Sequence, residues 1–281
     1  MIEIIDAVVN LRTPEIIQSF PNVWGQQSVG AREALKMDVA SFKGMPVEEV
    51  VSQMDEAGVQ KALLHASDSG RSGVRVSPEA VNQAIKKYPD RLVAGAIGVN
   101  IYRGMQAVRE LTWYVQEYGF KALHLFPHWL ERPASDPIYY PFYSKCVELG
   151  IPVCMQIRIP FQRSLRSYGH PKYVEQVAVN FPELRIVGLH LALPWLDEYM
   201  ELLTMFPNLY MTTSVHPTSE WEVKFNNFVN TIGQDQIIFG SASPYVKGGI
   251  KEAVNGIKGQ KLDETVNIKI LSANATRVFN L

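Results

Sequence analysis

Residues 141–157, PFYSKCVELGIPVCMQI, hold one complete copy of the pattern that decides the fold. Pro141–Leu149 reads as a helix, Gly150 stops it, and Val153–Ile157 is a short apolar run. Glycine ends helices well because, lacking a Cβ, it enters the left-handed region without a clash. A run this short and this apolar fits a strand covered on both faces rather than a helix.

The same unit recurs in both directions. Short apolar runs lie at Ile2–Val9, Gln60–His65, Leu92–Val99, Ala122–Phe126, Arg185–Leu191, Leu209–Thr213 and Gln236–Gly240, which with Val153–Ile157 makes eight. Between them Pro46–Ala57, Pro78–Lys87, Met105–Tyr118, Lys172–Asn180 and Leu196–Met205 read as helices, each closed by a nearby Gly or Pro. Pro46–Ala57 sets Val47, Val50, Val51 and Met54 on one stripe, as a helix facing a core requires. Strand, helix and stop in regular alternation predict parallel β-α units. Eight of them predict an α/β chain folded as a single (β/α)8 TIM barrel over residues 1–281. A doubly wound open sheet is the alternative, but no GxGxxG turn supports dinucleotide binding. Residues 262–281 are expected to form a C-terminal helical tail. Residues 12–45 interrupt the rhythm after the first strand and carry Phe20, Trp24, Gly25 and Gly30. An insertion there sits on the active face of a barrel, so it is expected to be a lid or pocket wall, with a subunit contact as the alternative.

Composition narrows the function. The 281 residues are 47% hydrophobic and 20% charged, with 27 Lys plus Arg against 28 Asp plus Glu, so the net charge is -1. There is no basic run, which argues against nucleic acid and for a small-molecule substrate. No apolar stretch reaches membrane-spanning length and the N-terminus has no basic leader, so no membrane is expected. Cys146 and Cys154 form neither a CxxC pair nor a zinc spacing, and read as free thiols of a cytoplasmic protein.

An ordered set of segments resembles the amidohydrolase-related family of the aminocarboxymuconate-semialdehyde-decarboxylase type. Ile5-Asp6-Ala7-Val8-Val9-Asn10 resembles its first-strand motif I-D-A-H-x-H. Gly119-Phe120-Lys121-Ala122, Pro127-His128 and Asp136-Pro137 resemble its fourth unit, and Glu148–Val153 the approach to its fifth strand. Pro182–Val187 with Gly188, His190, Pro194 and Trp195 resembles its sixth, and Phe239-Gly240-Ser241-Ala242-Ser243-Pro244 its eighth-strand F-G-S-D-x-P. Residues 269–279 resemble its closing helix. The resemblance implies one divalent metal, usually zinc, held by two His on strand one, a His on strand five and an Asp on strand eight. Those positions are Val8, Asn10, Gln156 and Ala242 here. Val and Ala have no donor atom, and neutral amide oxygens suit zinc poorly, so no metal and no cofactor are expected. A site built instead from His65, His124 or His128 with His190 is the alternative. The resemblance also implies a homodimer.

The family's strand-six histidine is retained as His190, which the resemblance places in proton transfer; the other reading is a core histidine under the Pro194-Trp195 turn. Arg158 lies two residues past Gln156, on the same side of the strand if it continues, where a guanidinium would hold a carboxylate in place of the metal's charge; the other reading is a loop arginine paired with a surface acid. Asn10, His65, Gln156, Ser241 and Ser243 complete the candidate substrate-binding set, and Trp24, Trp129 and Tyr245 are placed to stack on a ring. His65 with Ser67 and Asp68 is not read as a hydrolytic triad, because the three are neighbours in sequence and no GxSxG elbow is present. The expectation is therefore a metal-independent lyase or hydrolase of decarboxylase type, with His190 as acid/base on a small carboxylated or aromatic substrate. The alternative is an inactive relative that binds a ligand or partner.

Overall fold

The computed structural model describes residues 2–20, 43–70, 73–158, 164–216, 221 and 223–281. Eight parallel strands follow one another round the sheet in chain order: β1 Ile5–Asn10, β2 Lys61–His65, β3 Leu92–Gly98, β4 Ala122–Leu125, β5 Val153–Gln156, β6 Ile186–Leu189, β7 Leu209–Thr212 and β8 Ile237–Ile238. The chain beyond β8 closes the ring. Ala7 N donates to Phe239 O at 3.1 Å, Ala242 N to Val8 O at 2.8 Å and Asn10 N to Ser243 O at 2.8 Å. A parallel bridge pairs Val9 with Ser243.

A helix follows every strand: α1 Val47–Ala57, α2 Pro78–Lys87, α3 Met105–Tyr118, α4 Tyr140–Leu149, α5 Pro171–Asn180, α6 Leu196–Met205, α7 Val223–Asn230 and α8 Gly249–Lys258. The fold is the single (β/α)8 barrel that the alternation implies. Gly150 caps α4 at φ 64°, the left-handed turn that sends the chain back into β5. Strand alternation divides the core in two. Leu64, Leu123, Leu125, Val153, Met155 and Ile186 face outward against the helices. Ile5, Ala7, Leu63, Ala94, Ala96, Ala122, Cys154, Val187 and Leu189 face inward.

The small inward alanines leave room for larger groups from elsewhere. From the tail, Ala275, Val278 and Phe279 join the inner cluster, and Asn274 Nδ2 donates to Ile237 O at 2.7 Å, so the tail seals the N-terminal end of the barrel. This is the C-terminal helix expected over 262–281, built as Glu264–Ile268, a π-helical turn Lys269–Ala273 and Asn274–Phe279. Within the 12–45 insertion, Pro14–Gln18 is a short helix after β1. Residues 21–42, where the lid expectation and Trp24 fall, lie outside the described residues. Between β2 and α2 an antiparallel ribbon, Ser67–Asp68 with Arg75–Val76, adds a small flap of sheet. It sits so close to β3 that a Cβ on Gly98 would meet the Ser67 Cα at 2.4 Å.

Candidate active site

The C-terminal ends of the strands gather buried polar groups inside a ring of apolar side chains. β6 ends at Leu189, and the next three residues leave the strand with positive φ: His190 68°, Leu191 53° and Ala192 51°. Three consecutive non-glycine residues in this region carry strain, which functional sites commonly store. The turn aims the His190 ring at the end of β7. Ser214 Oγ lies 2.9 Å from His190 Nδ1 and 2.8 Å from Thr212 Oγ1, and it also accepts from the His190 amide at 3.3 Å. The hydroxyls can rotate. Ser214 either accepts Nδ1–H and donates to Thr212, or accepts from Thr212 and donates to Nδ1. Each arrangement fixes one tautomer of His190, and so decides whether Nε2 is a base or an acid. His190 is 5% exposed. Burial, then the charge of Arg158 and the neighbouring His216, His124 and His128, holds its pKa well below the ordinary imidazole value.

Arg158 leaves β5 two residues after the half-buried Gln156 and is 3% exposed. Burial lowers its pKa to about 9, which leaves the guanidinium charged at neutral pH. Its charge is felt at both His128 and His190, so the three share one site. Arg158 and His190, the expected anchor and acid/base, are both buried, and the charge of one is felt at the other. His128 follows β4, is buried, and both of its ring nitrogens lack hydrogen-bond partners among the described residues. Burial and Arg158 push its pKa down to about 3.

Lower in the barrel His65 and His124 meet edge to face, with Nδ1 atoms 3.2 Å apart. His65 Nε2 is 2.9 Å from Ala7 O, which can only accept, so Nε2 carries the proton. His65 Nδ1 is then the acceptor, and His124 Nδ1 carries the proton shared between it and Ala66 O at 3.2 Å. The remaining nitrogen, His124 Nε2, is left as a buried acceptor without a partner among the described residues. Burial lowers the His65 pKa to about 4, and burial with His65 holds His124 well below its ordinary value. Both nitrogens of His65 are thus engaged by the protein, and His124 presents the open atom.

The seam between β1 and β8 engages the other candidates. Asn10 donates its Nδ2 to Ala242 O and Ser243 O, each at 3.3 Å, rather than pairing with Gln156. Ser241 Oγ accepts from Ser243 N at 2.9 Å, and Ser243 Oγ is buried without a partner among the described residues. Asp6, fully buried, accepts from Val8 N and Ser241 N through one oxygen, at 3.1 and 2.9 Å. Trp129 stacks on Phe126 with ring centroids 4.3 Å apart. Tyr245 accepts from Arg12 Nε at 2.6 Å. Arg12, which the sequence reading leaves inside the insertion without a role, is 3% exposed and its charge reaches His124.

The metal implied by the resemblance can be tested against these donors. Val8 and Ala242 belong to the inner apolar cluster and have no ligating atom, and the Asn10 amide is turned to carbonyls. Among the described residues no group of three or more His, Cys, Asp or Glu is placed to hold a metal ion. The residues do not fit a zinc centre of the kind the resemblance implies.

The amidohydrolase family profile matches residues 68–281. The chain belongs to the amidohydrolase family. The match begins after β1 and β2, so the strand-one metal motif lies outside it. No curated protein matches the sequence. Solved structures of similar fold include an uncharacterized TIM-barrel protein from Bordetella bronchiseptica, with TM-score 0.80 and 23% identity over 99% of this chain and 98% of that one. The 5-carboxyvanillate decarboxylase of Sphingomonas paucimobilis superposes with TM-score 0.72 and 17% identity over the whole of both chains. The 2,6-dihydroxybenzoate decarboxylase of Rhizobium gives TM-score 0.67 and 18% identity over 100% of this chain and 99% of that one. At these identities the likeness shows the barrel they share.

Proposed function

We propose that this amidohydrolase-family protein is a lyase of decarboxylase type that works without a metal on a small aromatic carboxylate. The reading is carried by two buried groups just past the ends of neighbouring strands, His190 after β6 and Arg158 after β5, close enough for the arginine's charge to act on the imidazole. Arg158 binds the substrate carboxylate in the two-pronged geometry its fork allows. In the free protein burial, and after it the Arg158 charge, hold the His190 pKa down; a bound carboxylate offsets the Arg158 part, so binding shifts His190 back toward the range useful for proton transfer. His190 Nε2 then delivers a proton to the ring carbon that bears the carboxylate. The C–CO2 bond breaks, its electron pair returns to the ring, and carbon dioxide leaves. His190 regains its proton from solvent. His124 Nε2 accepts from a substrate hydroxyl, while Asn10, Gln156, Ser241 and Ser243 line the position of the family metal. His65 supports this set by fixing the His124 tautomer.

The decarboxylases of similar fold support this substrate class. Hydrolysis or hydration at the same site would use the same acid and anchor. Cytoplasmic placement and a homodimer belong to the same proposal; Cys146 and Cys154 are buried free thiols, and no described helix is long and apolar enough to cross a membrane.

The test is turnover of a panel of hydroxybenzoates by chelator-treated protein, followed by chromatography of the products. His190→Ala is expected to cut the rate by about 100-fold or more, the ordinary contribution of a general acid/base. Activity that appears only on adding a divalent ion, or that His190→Ala leaves intact, defeats the reading. Binding that raises the melting temperature without any product would favour a ligand-binding relative instead.

A further inference from the structure

Two opposed strands leave the barrel with the same short pattern. β1 runs out as Asn10-Leu11-Arg12 and β5 as Gln156-Ile157-Arg158, each an amide, an aliphatic residue and an arginine. Leu11 and Ile157 both pack in the outer apolar cluster. Alternation turns Asn10 and Gln156, the last residues of the two strands, to the inside, and the buried Arg12 and Arg158 follow each of them by two residues. In the strand order β1 and β5 stand four places apart, which in a closed ring of eight is the far side. The two arginines therefore stand at one mouth on opposite walls.

Arg12 is as deeply buried as Arg158, at 3% exposed. Its partners among the described residues are all neutral. Nε donates to Tyr245 OH at 2.6 Å, and Nη1 to Ser67 Oγ at 3.4 Å and Leu11 O at 3.5 Å. The Phe20 and Tyr245 rings flank it at 5.2 and 5.9 Å. A full charge held among neutral acceptors and rings is costly, since burial favours paired ions. A protein keeps such a group when its function needs it, even against stability. The neighbouring imidazoles do not supply an anion, and His124, which feels Arg12, is held neutral.

We propose that Arg12 is a second anion anchor, and that the site takes a dicarboxylate whose two carboxylates reach Arg158 and Arg12 from opposite ends. This rests on the assignment of Arg158 as the first anchor.

The test is isothermal titration of the purified full chain with benzoate, isophthalate and terephthalate, and with butyrate and glutarate as the aliphatic pair. A dicarboxylate is expected to bind about tenfold or more tighter than its monocarboxylate. Arg12→Gln should bring the two within about twofold and leave the monocarboxylate unchanged, with Arg12→Lys restoring part of the preference. The unliganded Arg12→Gln protein should melt no lower than the parent, because it loses a buried charge that none of the described residues neutralises. A ratio unaltered by Arg12→Gln overturns the proposal, as does parent protein that binds none of the five acids. So does a large drop in the melting temperature of Arg12→Gln that Arg12→Lys repairs without any change in the ratio, which would make Arg12 a structural clamp. Arg158→Gln separates the two claims: monocarboxylate binding that survives it removes the first anchor, while the Arg12 comparison is still read in the parent background.

Discussion

Ser214 governs which nitrogen of His190 holds the proton. Its hydroxyl touches His190 Nδ1 at 2.9 Å and Thr212 Oγ1 at 2.8 Å. Ser214→Ala removes that control and leaves the ring in place on its strained turn. The expected result is a fall in kcat of about tenfold with KM unchanged, a fraction of a full acid/base contribution. Nitrogen-15 spectra of histidine-labelled protein check it without a substrate. His190 should pass from one dominant tautomer in the parent to a mixture in the variant, and Ser214→Thr should restore the parent spectrum. An unchanged tautomer ratio in Ser214→Ala would remove Ser214 from the mechanism. This contact also marks the limit of what was legible. His190 and Arg158 were legible as candidates because one fills a family motif and the other obeys strand parity. Ser214 lies 24 residues from its partner, and Arg12 meets Tyr245 across 233 residues, so neither contact is written in any local spacing.

At the scale of elements, strands and helices were readable where their local rules were obeyed. Met105–Tyr118, Pro78–Lys87 and Leu196–Met205 keep the limits that their periodicity and stops imply. The sequence pattern does not single out α7 and α8. α7, VKFNNFVN, has three asparagines in eight residues, and α8 opens on the Gly248-Gly249 pair and carries Gly256, so helix propensity is weak and packing decides both. The β1–β8 seam is another feature made by packing. Asp6 sits beside a register shift in β1 and ties Val8 N and Ser241 N together through one carboxylate oxygen, while the other oxygen is buried without a partner among the described residues. Burial raises its pKa from 3.8 to about 6. An acid raised in the fold favours the native state below pH 3.8 and loses that contribution as pH rises through 6, by about 3 kcal/mol in all. Asp6→Asn keeps an acceptor for both amides and removes the titration. The melting temperature of Asp6→Asn relative to the parent should therefore climb between pH 5 and pH 7. A difference that stays flat across this range would show that the carboxyl does not titrate there.

For the whole molecule, the histidines outweigh that carboxyl. His65, His124, His128 and His190 are all buried and all held neutral, chiefly by desolvation. A histidine lowered in the fold contributes stability above its unfolded value near 6.5 and loses it as pH falls, because the unfolded chain takes up the proton first. The pKa values of about 4 for His65 and about 3 for His128 place this loss between pH 6.5 and roughly 4. At pH 5 these two alone cost about 4 kcal/mol, and His124 and His190 add in the same direction. Asp6 returns only about 1.4 kcal/mol between neutral pH and pH 5. Domains commonly hold about 5–15 kcal/mol in total, so the sum is comparable with the whole stability. The barrel should lose its near-ultraviolet circular dichroism cooperatively near pH 5 at 25 °C and regain it on return to pH 7. Replacing His128, whose ring nitrogens bond to none of the described residues, by leucine should move that midpoint to lower pH. A parent protein still native at pH 4 would mean that these imidazoles reach water or an anion that keeps them charged. The same cationic pocket predisposes the protein to that rescue: a dicarboxylate bound across Arg12 and Arg158 offsets the charge the histidines feel, so the acid midpoint should shift with ligand concentration.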